Sequence, residues 1–386
     1  MKRFTQILSY VLVAVAGAAV TFSAIVFNQP EEPYRKLDQL ESIIEDRYVG
    51  QSDKAAMEDA AAAAMVESLG DKWSYYMTKE EYAGHLEQMN NSYVGVGMTV
   101  QQDEEGYVRI LRVEPGGPAQ EAGIQAGDTL IAVDGKDILG YTLEEVKNWV
   151  RGEAGTKVAL TVRRGEETLT LESERRLVET QVARGEMLAG NVGLVTIVNF
   201  DSRCAKETIA AIEALRSQGA KALIFDVRNN PGGYKDELVE LLDYLLPEGV
   251  LFRSVLYNGA EEVDKSDAKW LDMPMIVLAN GNSYSAAEFF TAALMEYDMA
   301  TFVGQPTTGK GRFQTTYRLA DGSAVNISIG TYTTPKGVDL TDVGLTPDVL
   351  VELDEETTMQ IYYGNVPPEE DPQIQKALEV LGKTSE

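Results

Sequence analysis

Cysteine and histidine are almost absent from this sequence: Cys204 and His85 are the single examples in 386 residues. One cysteine cannot form an intramolecular disulfide, and one cysteine with one histidine cannot supply the usual ligands of a zinc site. We therefore expect neither a metal site nor a bound cofactor. Cys204 is expected to be a small buried residue on a helix, which is the usual environment of a free cysteine.

Positive charge is also scarce. The chain carries 34 basic against 61 acidic residues, a net charge of -27. A surface of this sign repels nucleic acid, so we expect no nucleic-acid partner. The length exceeds that of one ordinary domain and predicts two or three.

Charged residues are missing from Ile7 to Phe27, and Lys2 and Arg3 precede this apolar run. At about 1.5 Å per residue, a helix of this length just spans a hydrocarbon core of ~30 Å. The flanking positive charges place the N-terminus inside the cell. We predict a single-pass anchor within residues 1–30, with the catalytic part of the chain on the extracytoplasmic side of the cell membrane. A cleaved signal peptide is the alternative, because Ala14-Val15-Ala16 resembles a cleavage site.

The rest of the chain divides into four regions by pattern. Residues 31–91 have helical periodicity, and residues 92–175 read as short strands with glycine-rich turns. Residues 176–366 alternate buried strands with amphipathic helices, which predicts an α/β domain with a largely buried sheet. Residues 367–386 are polar and are predicted to form a fraying tail.

The β-rich region contains two long ordered stretches, "VEPGGPAQEAGIQAGDTLIAVDGKDI" and "VRGEAGTKVALTVRRG". They resemble a PDZ domain of the permuted bacterial type, a mainly β fold. Such a domain binds the free C-terminus of a peptide by adding it to a sheet edge and holding its carboxylate in a backbone nest. Gly95-Val96-Gly97 is the candidate nest; a plain turn is the alternative interpretation.

The stretch "GQPTTGKG" from Gly304 to Gly311 looks like a phosphate-binding loop. That motif requires Ser or Thr after the lysine and then a helix, because the hydroxyl ligates Mg²⁺ and the helix N-terminus faces the phosphates. Gly311 follows Lys310 instead, and the next residues are typical of a strand. A nucleotide site is therefore a weak interpretation, and Lys310 needs another one.

Two strand-to-helix junctions are candidates for catalytic chemistry. In "PMIVLANGNSYSAAEFF" a serine at the helix start can attack a carbonyl while the helix amides stabilise the developing oxyanion. The alternative is that Ser283 and Ser285 only cap the helix. In "IFDVRNNPGGYKDEL", Gly232 and Gly233 allow main-chain amides to approach a substrate closely, although a plain turn also explains them.

A serine nucleophile needs a base, and the only histidine, His85, lies in the distant helical region. Lysine is the alternative, because a desolvated lysine with a lowered pKa can take the serine proton. Lys310 fits this role, since no acidic residue occurs from Gly304 to Leu319 to hold it charged. Gln314, on the following strand, is a candidate to orient the lysine through its amide oxygen.

Together, "DKWSYY", "FDVRNNPGG", "NSYSAAE", "TTGKGRFQ" and "GLTPDV", in this order around a PDZ-like region, resemble the carboxy-terminal processing peptidases, also called tail-specific proteases. The resemblance implies a serine-lysine endopeptidase with a Clp protease/crotonase-like core. It assigns the nucleophile to Ser285, the general base to Lys310 and the supporting glutamine to Gln314. The oxyanion amides fall on Ala286 and on one of the glycines Gly232 and Gly233.

One departure from the family pattern concerns the nucleophile motif. Where the family usually has S-A-S-A-S-E, this chain has Tyr284 in place of a small residue and Ala287 in place of the third serine. The nucleophile is retained, so we expect the mechanism to be kept and the substrate preference to be altered. The N-terminal helices resemble those that join protomers in relatives, which implies a homodimer. The competing interpretations are a catalytically silent PDZ scaffold, a nucleotide-binding protein and a crotonase-like acyl-transfer enzyme.

Overall fold

A computed structural model describes residues 35–103 and 105–384. The chain separates into two compact units, Met1–Ser68 and Leu69–Glu386. The predicted anchor at residues 7–27 lies outside the described residues. Within the described ranges, no helix is both long and apolar enough to cross a bilayer.

The described part of the first unit consists of helices α1 (Arg35–Arg47) and α2 (Lys54–Glu67). Asp53 caps α2, since its carboxylate accepts a hydrogen bond from the amide of Ala56 at 3.2 Å. Neither helix buries a side chain. Several of their apolar residues, including Leu40 and Ile43, are exposed.

The second unit begins with a short strand and a helix, β1 (Tyr75–Met77) and α3 (Lys79–Met89). A capping box starts α3: the Thr78 hydroxyl accepts a hydrogen bond from the Glu81 amide, and the Glu81 carboxylate accepts one from the Thr78 amide. Strand β2 (Ser92–Gly95) then leads into the β-rich region.

The β-rich region folds as an antiparallel sheet of six strands with two short helices. In chain order these are β3 (Met98–Gln102), β4 (Val108–Val113), α4 (Pro118–Glu121), β5 (Thr129–Val133), β6 (Lys136–Asp137), α5 (Leu143–Val150), β7 (Lys157–Arg164) and β8 (Glu167–Glu174). The sheet order is β3-β4-β5-β7-β8, with β6 beside β5, so β3 is an edge strand that can accept an added peptide strand.

The remaining elements form the α/β part. In chain order they are β9 (Arg176–Glu179), β10 (Ala183–Leu188), β11 (Val192–Ile197), α6 (Cys204–Ser217), β12 (Ala222–Asp226), α7 (Lys235–Leu245), β13 (Gly249–Leu256), β14 (Glu261–Ser266), β15 (Met275–Ala279), α8 (Ala286–Glu296), β16 (Ala300–Gly304), β17 (Arg312–Arg318), β18 (Ala324–Thr333), β19 (Val349–Leu350), α9 (Glu355–Tyr362) and α10 (Pro372–Thr384). Strand β9 pairs with β2, so the two chain segments that enter and leave the β-rich region run side by side.

The core of this part is a six-stranded sheet in the order β10-β11-β12-β15-β16-β19, parallel apart from β10. Successive side chains of a strand point to opposite faces of the sheet, and here helices cover both faces. Phe225 packs with residues of α6, α7 and α8, and Ile224 packs against α10. This confirms the predicted α/β alternation, and Cys204 is buried at the start of α6, as expected.

A second, antiparallel sheet contains β1, β18, β13 and β14, with β17 also paired to β18. Only β17 is predicted from the sequence. The Asn258-Gly259 dipeptide lies in the β13–β14 turn, where Gly259 has φ +80°. Asn-Gly is a strong signal for a β-hairpin turn, so this hairpin could have been predicted from the sequence.

The C-terminal segment differs from the prediction of a fraying polar tail. Helix α10 buries Ile374, Ala377 and Leu381 against the parallel sheet. Its start is fixed by Asp371, whose carboxylate lies 2.9 Å from the buried guanidinium of Arg228. The apolar residues recur at helical spacing, and their burial outweighs the polar composition of the segment.

Candidate active site

The two predicted junctions meet at one edge of the parallel sheet. Strands β12 and β15 are parallel neighbours, so the loops that follow them start side by side. Gly232 lies after β12 and Ser285 after β15. A Cβ atom built on Gly232 would lie 2.7 Å from the Cβ of Ser285, which shows that the glycine backbone is packed against the serine. Only a residue without a side chain allows this approach.

Ser285 has a backbone conformation rare for a non-glycine residue, with φ 59° and ψ -126°. Residues held in sparsely populated backbone regions cluster at functional sites. The hydroxyl bonds to the Tyr332 hydroxyl at 3.0 Å rather than to an amide of the first helical turn. Ser283, by contrast, donates to the carbonyl of Val227 at 2.7 Å and holds two loops together. Ser285 thus stands at the N-cap of α8 but its hydroxyl has a partner outside the helix, and the Ser283 hydroxyl is bound to another loop.

Lys310 lies in the loop between β16 and β17. Burial lowers the pKa of its amine to about 8, while the negative charges of Glu288 and Asp71 act in the opposite direction. An amine with this pKa is partly neutral near neutral pH and can accept a proton. The ammonium group faces the rings of Trp73, at 4.7 Å to the centroid, and Tyr284, at 5.7 Å.

Glu288 joins the serine helix to the lysine loop. Its side chain, on the first turn of α8, is fully buried. One carboxylate oxygen accepts from the amides of Ser285 at 3.1 Å and Lys310 at 2.9 Å. The other accepts from the Thr307 hydroxyl at 2.5 Å and the Gly309 amide at 2.7 Å. A single carboxylate therefore fixes the main chains of both candidate dyad residues.

The side chains of the candidate dyad are not bonded to each other. Neither a hydrogen bond nor an ion pair joins Lys310 Nζ to any described residue. Gln314 is also turned elsewhere: its amide nitrogen donates to the Arg312 carbonyl at 3.1 Å and the Ser328 hydroxyl at 3.0 Å. The expected contact between Gln314 and Lys310 is therefore missing from the described part of the chain.

The candidate oxyanion amides differ in availability. The Gly232 amide already donates to the side-chain oxygen of Asn230 at 2.8 Å. The amides of Gly233 and Ala286 have no hydrogen-bond partner within the described ranges. Asn230 is fully buried and also donates to the Ile197 carbonyl at 2.9 Å, so it holds the glycine turn against the sheet. Of the two glycines, Gly233 is therefore the one whose amide is free of a partner in the described ranges.

The candidate peptide site is a groove of about 300 Å³ in the β-rich region. Its walls are the edge strand β3 and helix α5, and Gly95, Val96 and Gly97 line one end. The amides of Val96 and Gly97 donate to no other described residue. An extended peptide can pair with β3 while its carboxylate faces these amides. The other apolar lining residues include Met98, Val100, Leu143, Val146 and Val150.

Sequence reasoning missed Glu288, Tyr332, Trp73 and Asn230. Glu288 stands within the quoted motif, but its position three residues after Ser285 suggests only a local helix-start role. Asn230 also stands within a quoted motif, and its bond to the Gly232 amide is local. The contacts of Tyr332 and Trp73 depend on packing between distant segments, for which one sequence carries no signal. As for metals, the described ranges contain no cluster of three or more His, Cys, Asp and Glu side chains arranged around a common centre.

Comparison with known proteins identifies the family of this chain. Peptidase family S41 matches residues 191–351, and the PDZ domain family matches residues 109–164. The carboxy-terminal processing protease CtpA of Bacillus subtilis (strain 168) is 32% identical over 366 residues, which cover 92% of this chain and 78% of that protein. A probable CtpA-like serine protease of Staphylococcus aureus (strain COL) is 31% identical over 367 residues, covering 91% of this chain and 73% of that protein.

Among solved structures, a putative S41 protease from Bacteroides fragilis NCTC 9343 superimposes with a TM-score of 0.56, covering 90% of this chain and 98% of that one. At 16% identity it supports the fold alone. The identity to the two bacterial proteases, over most of their length, decides the family. The chain belongs to peptidase family S41 and is a carboxy-terminal processing protease with a PDZ domain.

Proposed function

We propose that this peptidase cleaves its substrates with a Ser285–Lys310 dyad. The main support for this proposal is that one carboxylate oxygen of Glu288 accepts hydrogen bonds from the amides of both residues, Ser285 at 3.1 Å and Lys310 at 2.9 Å. The lysine pKa of about 8 gives that residue the chemistry of a general base. The unpaired amides of Gly233 and Ala286 supply donors for a developing oxyanion.

The reaction proceeds through an acyl-enzyme. Ser285 Oγ attacks the scissile carbonyl while Lys310 Nζ takes its proton, and the carbonyl oxygen becomes an oxyanion bound by the two amides. Lys310 then gives the proton to the leaving amine, and the ester to Ser285 forms. Water, deprotonated by Lys310, attacks this ester and releases the new C-terminus with the free serine.

Substrates are proteins whose free C-terminus enters the groove between β3 and α5. The exposed edge of β3 provides main-chain partners for the peptide, and the free amides of Val96 and Gly97 face its carboxylate. The apolar walls favour aliphatic side chains near that end. A labelled peptide with a free carboxylate should bind, and the same peptide with an amidated C-terminus should bind at least tenfold more weakly.

We also propose a cellular location and an oligomeric state for the enzyme. The apolar run at residues 7–27 anchors the chain in the cell membrane, with the peptidase outside the cytoplasm. The exposed apolar residues of α1 and α2 join two copies of the chain. Fractionation of membranes with and without residues 1–30 tests the anchor. Light scattering with and without residues 31–68 tests the homodimer.

The decisive experiment compares wild type with Ser285→Ala and Lys310→Ala on an internally quenched peptide. Both substitutions should lower turnover by at least 1000-fold, because nucleophile and base act as one unit. Equal turnover by wild type and Ser285→Ala would leave a catalytically silent PDZ scaffold as the interpretation. Circular dichroism of each variant checks that the fold is kept.

A further inference from the structure

Ser285 shares its hydroxyl with an aromatic residue from the other sheet. Tyr332, near the end of β18, places its hydroxyl 3.0 Å from Ser285 Oγ. Each of these two oxygen atoms has no other hydrogen-bond partner in the described ranges. The tyrosine is only 4% exposed. The two hydroxyl groups therefore form an isolated pair out of contact with bulk water.

Packing leaves the Tyr332 ring little freedom to move. Its centroid lies 4.3 Å from that of Phe289, 5.4 Å from Phe252 and 5.8 Å from Phe313. Phe289 belongs to the same helix that Ser285 begins, so ring and helix are held together. Because interiors are close-packed, the phenol oxygen stays at one place relative to the serine. A change of partner must come from rotation of the serine side chain.

The phenol keeps its proton, and can donate a hydrogen bond to Ser285, at every pH at which the enzyme can work. Burial raises the pKa of Tyr332 well above its ordinary value of 10.0. A phenol is also a stronger acid than an aliphatic alcohol, so the tyrosine is the better donor of the pair. We therefore assign Tyr332 as the donor and the serine oxygen as the acceptor of this hydrogen bond.

The side chain of the candidate base, Lys310, also contacts aromatic residues instead of its dyad partner. The Lys310 amine lies over the rings of Trp73 and Tyr284, and no hydrogen bond joins it to the serine. The aromatic faces favour its charged form. Each half of the dyad thus has an aromatic partner, while Glu288 keeps the two main chains in place.

We propose that Tyr332 is a positioning residue that holds the Ser285 hydroxyl away from Lys310 until substrate is bound. The inference rests on the proposed dyad. Attack requires the serine side chain to rotate from the phenol towards the lysine. Without the phenol, a serine still facing the apolar pocket would be an unsatisfied buried hydroxyl, which is unfavourable. Removing the tyrosine hydroxyl should therefore shift the serine towards the base and accelerate its acylation.

The test measures the rate at which a small fluorophosphonate phosphonylates Ser285 Oγ with loss of fluoride, as a stand-in for acylation, because this probe is too short to need the PDZ groove. Tyr332→Phe should react about 2-fold to 10-fold faster than wild type, the factor expected for loss of one ordinary hydrogen bond. The midpoint of its pH profile should stay at the wild-type value, because the base is unchanged. A Tyr332→Phe rate equal to or below that of wild type would overturn the proposal.

A second variant gives an effect of the opposite sign. Replacing Tyr332 by 3-fluorotyrosine keeps the ring and makes the phenol a stronger donor, so acylation should be slower than in wild type. A purely structural role would slow both variants, which would also overturn the proposal. Tyr297→Phe is the matched control, because it loses a tyrosine bond to the Val250 carbonyl at 2.9 Å in the same domain and should react like wild type.

Ser285→Ala distinguishes a failure of the proposed dyad from a failure of the proposed role of Tyr332. If the probe labels wild type and Ser285→Ala equally, Ser285 is not the nucleophile. The proposed dyad is then rejected, and the proposed role of Tyr332 is rejected with it. If wild type is labelled and Ser285→Ala is not, the dyad stands, and the tyrosine variants alone decide the inference. Thermal unfolding of each variant confirms that the rates belong to folded protein.

Discussion

The Glu288 carboxylate accepts a hydrogen bond from the main-chain amide of Lys310, with an N–O distance of 2.9 Å, although the two residues are 22 positions apart in the sequence. The same oxygen accepts the Ser285 amide, so the carboxylate connects the nucleophile helix with the loop of the base. Buried carboxylates bound by several amides are positioned far more rigidly than exposed ones. The relative placement of the proposed dyad therefore depends on Glu288, which has no chemical role in the proposed reaction.

Glu288→Gln should lower kcat on the order of 100-fold, the cost expected for a shift of about 1 Å in a reacting group. The amide nitrogen of glutamine cannot accept from the main-chain amides, so the loop would move. Loss of the negative charge should also lower the Lys310 pKa, because Glu288 acts to raise it. The midpoint of the pH–rate profile should then lie below that of wild type.

Glu296→Gln provides the control for this prediction. Glu296 ends the same helix, and its carboxylate accepts from the Thr334 hydroxyl at 2.6 Å and the Lys336 amide at 2.7 Å. Glu296→Gln should lose stability as well, because two of its hydrogen bonds are weakened, and should keep both kcat and the pH midpoint. Matching losses of activity in the two variants would assign Glu288 a general structural role instead.

The elements that sequence reasoning predicts correctly carry their own local signals. Helical periodicity predicts a helix from Arg203 to Gln218, and the structure has one at Cys204–Ser217. It predicts another from Leu143 to Arg151, which is found at Leu143–Val150. Long periodic segments reveal both their type and their buried face. The glycine-rich junctions are equally visible, because glycine at a strand end marks a place where the backbone must approach something closely.

The features that sequence reasoning misses are contacts between distant segments. Tyr332 is one tyrosine among 18, and nothing local shows that its hydroxyl meets Ser285. Gln314 has the spacing of a supporting residue, yet its side chain bonds to Ser328 on the neighbouring strand. Residue type and spacing thus predict which groups come near the site. They do not determine which partner each group selects, because that depends on the packing of two sheets.

Activity should rise with pH through about 8. Lys310 must be neutral to take the serine proton, and burial sets its pKa at about 8. Below that value, log kcat/KM should fall by about one unit for each pH unit, since only the unprotonated fraction reacts. A profile of kcat/KM from pH 6 to pH 10 checks this. An optimum in acid would contradict a lysine base.

The same lysine should make the fold less stable at neutral pH. Its pKa is 10.5 as an unperturbed group and about 8 in the folded protein, so between these values the unfolded chain binds more protons. Stability from this group therefore increases as pH rises through that window. At pH 7 the buried ammonium costs the fold about 3 kcal/mol, from ~1.4 kcal/mol per pKa unit.

Lys310→Met should consequently raise the free energy of unfolding at pH 7 by about 3 kcal/mol while abolishing activity, a trade-off common at active sites. Urea unfolding at pH 7 and pH 10 measures it, and the gain should shrink at the higher pH. Lys269→Met, on an exposed lysine, should change neither value appreciably. A gain that is the same at both pH values would show that the methionine acts through packing rather than through the removed charge.

Gly232→Ala should abolish activity. Its φ is +87°, and the new Cβ would meet Ser285 Cβ at 2.7 Å and the Ala286 amide nitrogen at 2.8 Å. The serine and the candidate oxyanion amide must then move. Gly259→Ala isolates the backbone effect, because Gly259 has φ +80° and no atom near its Cβ direction. That control should lose about 1 kcal/mol of stability and keep its kcat.

Gly97→Ala should weaken capture of a peptide C-terminus without disturbing the dyad. Gly97 has φ +80° beside the groove, and its Cβ would lie 3.3 Å from the Cβ of Glu114. The nest would have to change shape, and we expect at least tenfold weaker binding of a labelled peptide with a free carboxylate. Fluorescence anisotropy in a Ser285→Ala background measures this without cleavage.

Gly106→Ala is the matched control for the peptide groove. Gly106 has φ +89° in the turn between β3 and β4, and the nearest atom to its Cβ direction is Leu139 Cδ1 at 3.4 Å. The substitution imposes the same backbone strain in the same domain but does not touch the groove. Peptide affinity should therefore stay at the wild-type value. If Gly106→Ala weakened binding as much as Gly97→Ala, strain of the whole domain would explain the loss, and the assignment of the carboxylate nest to Gly95, Val96 and Gly97 would be wrong.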